Sequence, residues 1–483
     1  MRTRPGLLRR AVRPGILLLA CLALAGCGGR RMDERAVAYN TQVERAENNL
    51  LLLNVLRAAL HHPLYFTGFT DIHSPQSNTA GAGFSVPFAV QGQTGFFVSP
   101  TLAITENQAQ FGLGVINSSE FTRGIATPVS VQTVDLFLQR GFAPEHLFSL
   151  FIARIETAGG DVFVNDPREG EAQSFQNLLR LLIALGLTTE TVREAVELGP
   201  PLKPEQVNAL ERLTQLSDPN VALVRSGGLL QVVRYRTEPR FCFAMPPILP
   251  RPGQPPPPDA FIQRALRITC RNWVAGHLGV PLDLPGGPAE EAGAVRRYRA
   301  LPEAVRTRPG DARLAAFAAE GFAAPLGLWP EAEATPRRRG ERAGTVDLGL
   351  LSISLRSPEA IMLYLGDIVS TQMRDGPGRG PRYLTGGSYA SIRDGTCAIP
   401  PADTVPACDD QHVFQIFRVL PGEGGERDLA AVRYLGTDYH IPSGADEVEG
   451  RSSETLSILA DLFSLYRSAS DLPRATPVRI LPY

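Results

Sequence analysis

Apolar positions recur every three to four residues over about Asp33–Leu60, a stretch without glycine or proline. Val43, Ala46, Leu50 and Leu53 fall on one face, with Glu44, Arg45, Glu47 and Asn48 around it, which predicts a long amphipathic helix. Asp33 suits its N-cap and Pro63 ends it. At 1.5 Å per residue such a helix is about 42 Å long. The run Leu50-Leu51-Leu52-Leu53 widens the apolar face, so the second half is expected to be buried on most sides. The helix then reads either as a stalk that docks into the body or as a first core helix, with Asn54 as a satisfied core amide.

Beyond it the pattern shortens. Short alternations at 66–70, 84–86 and 110–115 read as strands. Residues 128–140, 144–156, 175–187 and 204–216 read as helices. Val221–Arg225 and Leu229–Arg236 flank Ser226-Gly227-Gly228 and read as a β-hairpin. Eight prolines among the thirteen residues Pro246–Pro258 exclude helix and central strand there. Residues 285–343 are rich in Ala, Arg, Glu, Gly and Pro and read as a loose insertion holding a helix or two.

The clearest internal repeat lies near the C-terminus. The strand Leu350–Leu355 runs into Arg356-Ser357-Pro358-Glu359 and a helix over 360–373. The strands Val413–Val419 and Ala431–Leu435 lead to Arg451-Ser452-Ser453-Glu454 and a helix over 455–466. Serine is a good N-cap, proline suits the first helical position and glutamate suits the positive end of the helix dipole. The repeat therefore reads first as two helix starts, and secondarily as two arginines, Arg356 and Arg451, converging on an anion. The expected class is α+β: a long N-terminal helix, antiparallel sheet elements with helices on one face, and a duplicated strand–strand–helix unit.

The first residues change the picture most. Arg2, Arg4, Arg9, Arg10 and Arg13 precede Ile16–Ala25, an uncharged run too short to span a bilayer. It ends in Leu24-Ala25-Gly26-Cys27, which resembles the lipobox of bacterial lipoproteins. That resemblance implies a signal peptide over 1–26 and a lipidated Cys27 as the first mature residue. With Gly28 and Gly29 after the cysteine rather than Asp, it implies sorting to the outer membrane, facing the periplasm or the cell surface. Asn49–Arg57 followed by His62-Pro63-Leu64-Tyr65-Phe66, and more loosely the Arg-Ser helix starts, are similar to a group of proteobacterial lipoproteins of unassigned function. This likeness implies an envelope location and carries no catalytic residue.

Charge and cysteines agree with export. Lys and Arg (48) balance Asp and Glu (49), a net −1 that gives no global pull toward nucleic acid. Apart from Cys21 and Cys27, four cysteines remain, and an even set in an exported chain reads as disulfides. Cys242–Cys270 and Cys397–Cys408 are the favoured pairs because each closes a local loop. A zinc site is the weaker alternative, since no Cys-x-x-Cys occurs and only His412 stands near a cysteine.

No catalytic set or metal site is assembled by spacing. Gly386-Gly387-Ser388-Tyr389-Ala390 lacks the last glycine of a nucleophile elbow, His61-His62 with His73 lacks a spaced carboxylate, and Gly422–Gly425 lacks the residues of a phosphate loop. No cofactor is expected. The layout expected is a lipid anchor and tether over 27–65, a mixed body over 66–245, a Pro-rich linker and insertion over 246–345, and an α+β domain over 346–483. The expected function is a non-enzymatic accessory or scaffold component of an envelope assembly, bound to the membrane through Cys27 and to an envelope protein. The alternatives are an envelope hydrolase, favoured if Ser388, Asp438 and His440 meet in one cleft, and a periplasmic small-ligand binding protein with a deep apolar pocket.

Overall fold

The computed structural model describes residues 37–73, 110–116, 118–157, 160–167, 172–200, 220–226, 229–248, 256–279, 288–306, 344–348, 351–376, 383–384, 413–443 and 451–466. Cys27, Cys397, Cys408, Ser388, the strand expected at 84–86 and the helix expected at 204–216 lie outside these residues. The protein is mixed α+β with antiparallel sheets. Among the described residues no helix is long and apolar enough to cross a membrane.

Helix α1 occupies 37–59. Its two halves differ as the sequence pattern demands. Residues 37–42 are exposed except Tyr39, whereas Leu51, Leu52, Asn54, Val55, Leu56, Ala58 and Ala59 are buried. Asn54 turns the chain back on the helix: its Oδ1 accepts from Tyr65 N at 2.8 Å and its Nδ2 donates to Tyr65 O at 3.1 Å. The expected core amide is thus a clamp on the exit loop. Strands β1 (Thr67–His73) and β2 (Gln110–Val115) then pair antiparallel.

Three helices follow: α2 (Ser119–Ala126), α3 (Val131–Gln139) and α4 (Pro144–Phe151). Ser118 and Ser130 cap the first two through their hydroxyls. The helix expected over 144–156 ends early, at Phe151, and Ile152–Thr157 is strand β3. The reason is tertiary. β3 pairs with β4 (Val162–Val164) on one side and, on the other, with a strand about two hundred residues further along the chain. Helix α5 (Ala172–Ala184) leads to the long strand β5 (Leu187–Glu197). β5 pairs with β7 (Leu229–Phe243), which hairpins with β6 (Val221–Ser226) where Ser226-Gly227-Gly228 predicts it.

Helices α6 (Asp259–Arg267), α7 (Arg271–Leu278), α8 (Pro288–Ala300) and α9 (Glu303–Arg306) come next, the last two inside the expected insertion. Two hairpin–helix units close the chain. In the first, β8 (Thr345–Asp347) and β9 (Leu351–Leu355) lead into α10 (Pro358–Asp375). After the short pair β10 (Tyr383–Leu384) and β11 (Val413–Phe414) comes β12 (Leu420–Pro421). In the second unit β13 (Ala430–Tyr434) and β14 (Thr437–Ile441) lead into α11 (Ser452–Tyr466). The sheet orders are β4-β3-β9-β8, β5-β7-β6 and β12-β14-β13. The first of them joins strands from either side of the stretch 246–345.

One hydrophobic core runs through these elements, from Leu52 and Val55 of α1 through Phe148 and Phe151 of α4 to Ile361 and Leu365 of α10 and Leu459 of α11. Helices α1 and α10 cross closely at Gly366, where an added Cβ would lie 2.5 Å from the Ala58 Cβ and 2.8 Å from the Ala59 nitrogen. Only glycine allows that approach. The last sheet lies along α1: Asn49 Oδ1 accepts from Ala431 N at 2.8 Å, and Arg45 donates to Gly425 O at 3.0 Å.

Candidate functional site

Helix α4 is eight residues long, and every residue from Glu145 to Phe151 is buried. Such a helix leaves amides and carbonyls at both ends that water cannot reach. The two Arg-Ser-x-Glu segments meet these two ends.

At its C-terminal end stands Arg356, which is 6% exposed and lies between β9 and α10. Its Nη1 donates to Leu150 O and Ile152 O, both at 2.9 Å, and to Ser149 O at 3.3 Å. Its Nη2 donates to Asn165 O at 2.5 Å. The guanidinium stacks on Tyr364, 3.7 Å from the ring centroid. Tyr364 donates to Asn165 Oδ1 at 3.1 Å, and Asn165 Nδ2 donates to Ser149 O and Ile152 O. A cation at the negative end of the helix dipole, with its donors on otherwise orphaned carbonyls, is favoured by charge and by hydrogen bonding together.

At the N-terminal end of α4 stands His146, which is 0% exposed. Thr455 gives its hydroxyl hydrogen to Ile416 O at 2.7 Å, so His146 Nε2 is the donor to Thr455 Oγ1 at 2.9 Å. Nδ1 faces Glu454 Oε2 at 3.2 Å, and Arg451 Nη1 bonds both oxygens of Glu454 at 3.0 Å. Burial lowers the imidazole pKa below its usual 6.5, against the opposing pull of Glu454. The His146 hydrogen bond holds the Glu454 carboxyl below its usual 4.5, with Arg451 assisting and partial burial opposing. The set Arg451–Glu454–His146–Thr455 can store and move a proton. Its hydroxyl is fully buried and engaged with a carbonyl, so it offers no nucleophile to solvent.

The two arginines that the sequence offers for one anion are therefore engaged elsewhere: Arg356 with backbone carbonyls, Arg451 with Glu454. Asp438 faces Arg433 at 3.9 Å, and His440 Nδ1 lies 3.2 Å from Gly422 O.

The Cys242–Cys270 disulfide is present, with the Cα atoms 5.0 Å apart and a sequence separation of 28. A loop of that size contributes about 3 kcal/mol in the chain-entropy account. Beside it Glu190 accepts from Arg240 Nε at 2.9 Å and from Arg271 N at 2.7 Å. Glu190 thereby caps α7 in place of Cys270, whose sulfur is bonded elsewhere. Arg240 continues to Arg267 O and Thr269 O, so bond and ion pair together tie β5 and β7 to the α6–α7 turn. Glu190, Cys242 and Cys270 also form the one grouping of three potential metal-ligand atoms among the described residues. Two of the three are the disulfide sulfurs, which hold no thiolate while bonded.

Sequence reasoning missed His146, whose neighbours in the chain give no hint of Glu454, 308 residues later. It also passed over Leu435-Gly436, the two-residue turn of the last hairpin. A leucine before glycine between two strand-like runs was the available signal.

No family model, curated protein or solved structure matches the chain. The likeness to envelope lipoproteins rests on the N-terminal and Arg-Ser motifs alone.

Proposed function

We propose that this chain is an outer-membrane-anchored lipoprotein facing the periplasm, acting as a non-enzymatic accessory or scaffold component of an envelope assembly. The observation that carries the reading is the divided helix α1. It is described from residue 37, ten positions after Cys27, is exposed over most of 37–42 and is largely buried over 51–59. A lipid on Cys27 would thus be coupled to the core by a rigid element, and ten residues reach at most about 35 Å. Support also comes from the Cys242–Cys270 disulfide, a bond that persists in oxidising compartments. The Arg356 cluster at α4 is turned inward on the fold, with its donors on backbone carbonyls, which suits a protein that presents a surface rather than a reaction.

The test is Cys27→Ala in cells fed labelled palmitate. The parent chain is expected to take up label and sediment with outer membranes. The variant is expected to lose the label and leave the membrane fraction. Label retained in the variant would sink the anchor and the placement that depends on it.

A further inference from the structure

We propose that the Cys242–Cys270 disulfide is a reversible redox site, at which Cys270 exchanges with an incoming thiol and Cys242 closes the bond again. The inference goes beyond the scaffold reading and is independent of the anchor at Cys27.

The two sulfurs are placed unequally. Cys242 lies inside β7, opposite Thr188 of β5, and is 0% exposed between Phe241 and Phe243, which are buried as fully. Cys270 is half-buried and forms the N-cap of α7, where its side chain makes no cap hydrogen bond. A thiolate arriving from solvent therefore meets Cys270 and finds Cys242 shielded behind it. The positive end of the α7 dipole favours a thiolate at Cys270, whereas apolar burial disfavours one at Cys242. Attacked sulfur and closing sulfur are thus told apart by position.

The geometry of the pair does not depend on the bond. Phe243 N donates to Ile268 O and Cys270 N donates to Phe243 O, each at 2.8 Å. Arg240 donates to Arg267 O and to Thr269 O, each at 3.1 Å. Glu190 accepts from Arg271 N at 2.7 Å, and Arg271 Nη1 donates to Arg193 O at 3.3 Å. These contacts tie β5 and β7 to the α6–α7 turn on both sides of the cysteines. With the Cα atoms held 5.0 Å apart, an opened pair stays in reach of reclosing, at the high effective concentration of linked groups.

The exchange balances with thiols alone. An incoming thiolate bonds to Cys270 Sγ, and the bond to Cys242 breaks. Cys242 leaves with the electron pair and takes up a proton. Glu190, whose carboxylate lies within 4.8 Å of both sulfurs, is close enough to pass that proton through one water. Its charge is matched by Arg240 at 2.8 Å, so the pair adds no net charge beside the sulfurs. A second thiolate then attacks the reactant's sulfur in the mixed disulfide, and Cys270 leaves as the thiolate at the start of α7. Two thiols become one disulfide, and their two electrons rest on Cys242 and Cys270. Run backwards, the same steps reclose the bond. The reactant is a thiol, either soluble or carried by an exported protein.

The experiment uses the full chain and reads Cys242 and Cys270 by peptide mass. Dithiothreitol without denaturant is expected to open the bond while the circular dichroism spectrum stays native, and oxidised glutathione is expected to reclose it. On the opened chain, a limiting pulse of iodoacetamide should label Cys270 about tenfold more than Cys242. With oxidised glutathione, Cys242→Ala should form an adduct at Cys270, and Cys270→Ala about tenfold less at Cys242. In intact envelopes the adduct on Cys242→Ala separates the two sources. A glutathione mass marks a soluble thiol, and a protein released by dithiothreitol marks an exported one. A bond that opens only in denaturant would overturn the proposal. So would loss of the native spectrum on opening, equal labelling of the two cysteines, or a folded Cys242→Ala chain without an adduct. The labelling of the parent chain decides even where neither variant folds.

Discussion

Arg356-Ser357-Pro358-Glu359 and Arg451-Ser452-Ser453-Glu454 share a pattern and differ in nearly every contact. In the first, Ser357 is the N-cap: its hydroxyl accepts from Ala360 N at 3.1 Å and its carbonyl from Ile361 N at 2.9 Å. In the second, the helix starts one residue earlier in the motif. Arg451 O accepts the first helical bond from Thr455 N, and Ser452, 1% exposed, accepts from Arg418 N at 2.9 Å. One residue of offset therefore turns a cap into a core crosslink. The arginines divide likewise. Arg356 is buried on carbonyls, while Arg451 keeps a 27% exposed side chain against Glu454. A local motif marks a helix start; the surface it packs on decides what its polar groups do. Here the first motif meets the C-terminal end of α4, and the second meets its N-terminal end through His146 and the 416–418 segment through Ser452 and Thr455.

The largest contrast is expected between the two arginines. Arg356→Ala leaves the carbonyls of Leu150, Ile152 and Asn165 without this donor in a buried site, and should lower the unfolding free energy by about 3 kcal/mol or more. Urea denaturation reads it. Arg356→Lys should recover little, because one ammonium cannot span carbonyls on both α4 and the Asn165 turn or stack flat on Tyr364.

The serines give the next contrast. Ser357→Asp keeps a capping oxygen at a helix start and should change stability by less than about 0.5 kcal/mol. Ser452→Asp places a carboxylate where no water reaches and should cost about 2 kcal/mol or more. Equal effects of the two substitutions would erase the distinction drawn between the motifs.

How much of this was legible in the sequence depends on how local each cause is. The periodicity of α1, the 221–236 hairpin and the Cys242–Cys270 pair are fixed by neighbours within a few turns, a tight loop or a short closed segment. β3 reads as helix from the sequence because Ile152-Ala153-Arg154-Ile155-Glu156-Thr157 follows α4 with no glycine or proline, and its strand state comes from pairing with Leu351–Leu355. β5 was hidden in part behind a helix expected to reach Leu187, although Thr188, Thr189, Thr191 and Val192 are β-branched. The two clusters at α4 were invisible in the sequence. Arg356 and Glu454 could be singled out by pattern, but the carbonyls and the imidazole that they meet lie some two to three hundred residues away. The Leu435 turn is local and was open to reading.

A smaller effect appears with acid. His146 has its folded pKa below the unfolded 6.5 because of burial, so from pH 6.5 downward the unfolded chain binds the proton more readily and stability falls. Glu454 adds a second loss beginning below pH 4.5, since its carboxyl is held below the usual value by His146. The urea midpoint should therefore drop in two stages on acidification. His146→Gln should abolish the first stage, and a midpoint independent of pH between 7 and 5 in the parent chain would refute this account.

The smallest effect expected is that of Arg451→Ala at neutral pH, about 0–1 kcal/mol, because its partner carboxylate is partly solvated. Its value lies in the acid limb. Arg451 pushes the His146 pKa down and the Glu454 pKa down, so removing it lets both move toward their unfolded values. A smaller gap between folded and unfolded pKa means less stability lost per unit of acid. The variant should match the parent closely at pH 7.5 and show a flatter midpoint profile between pH 6.5 and 4. An unchanged profile would mean that Arg451 is only a surface ion pair. A flatter one would show that the second motif acts on α4 through charge, where the first acts through hydrogen bonds.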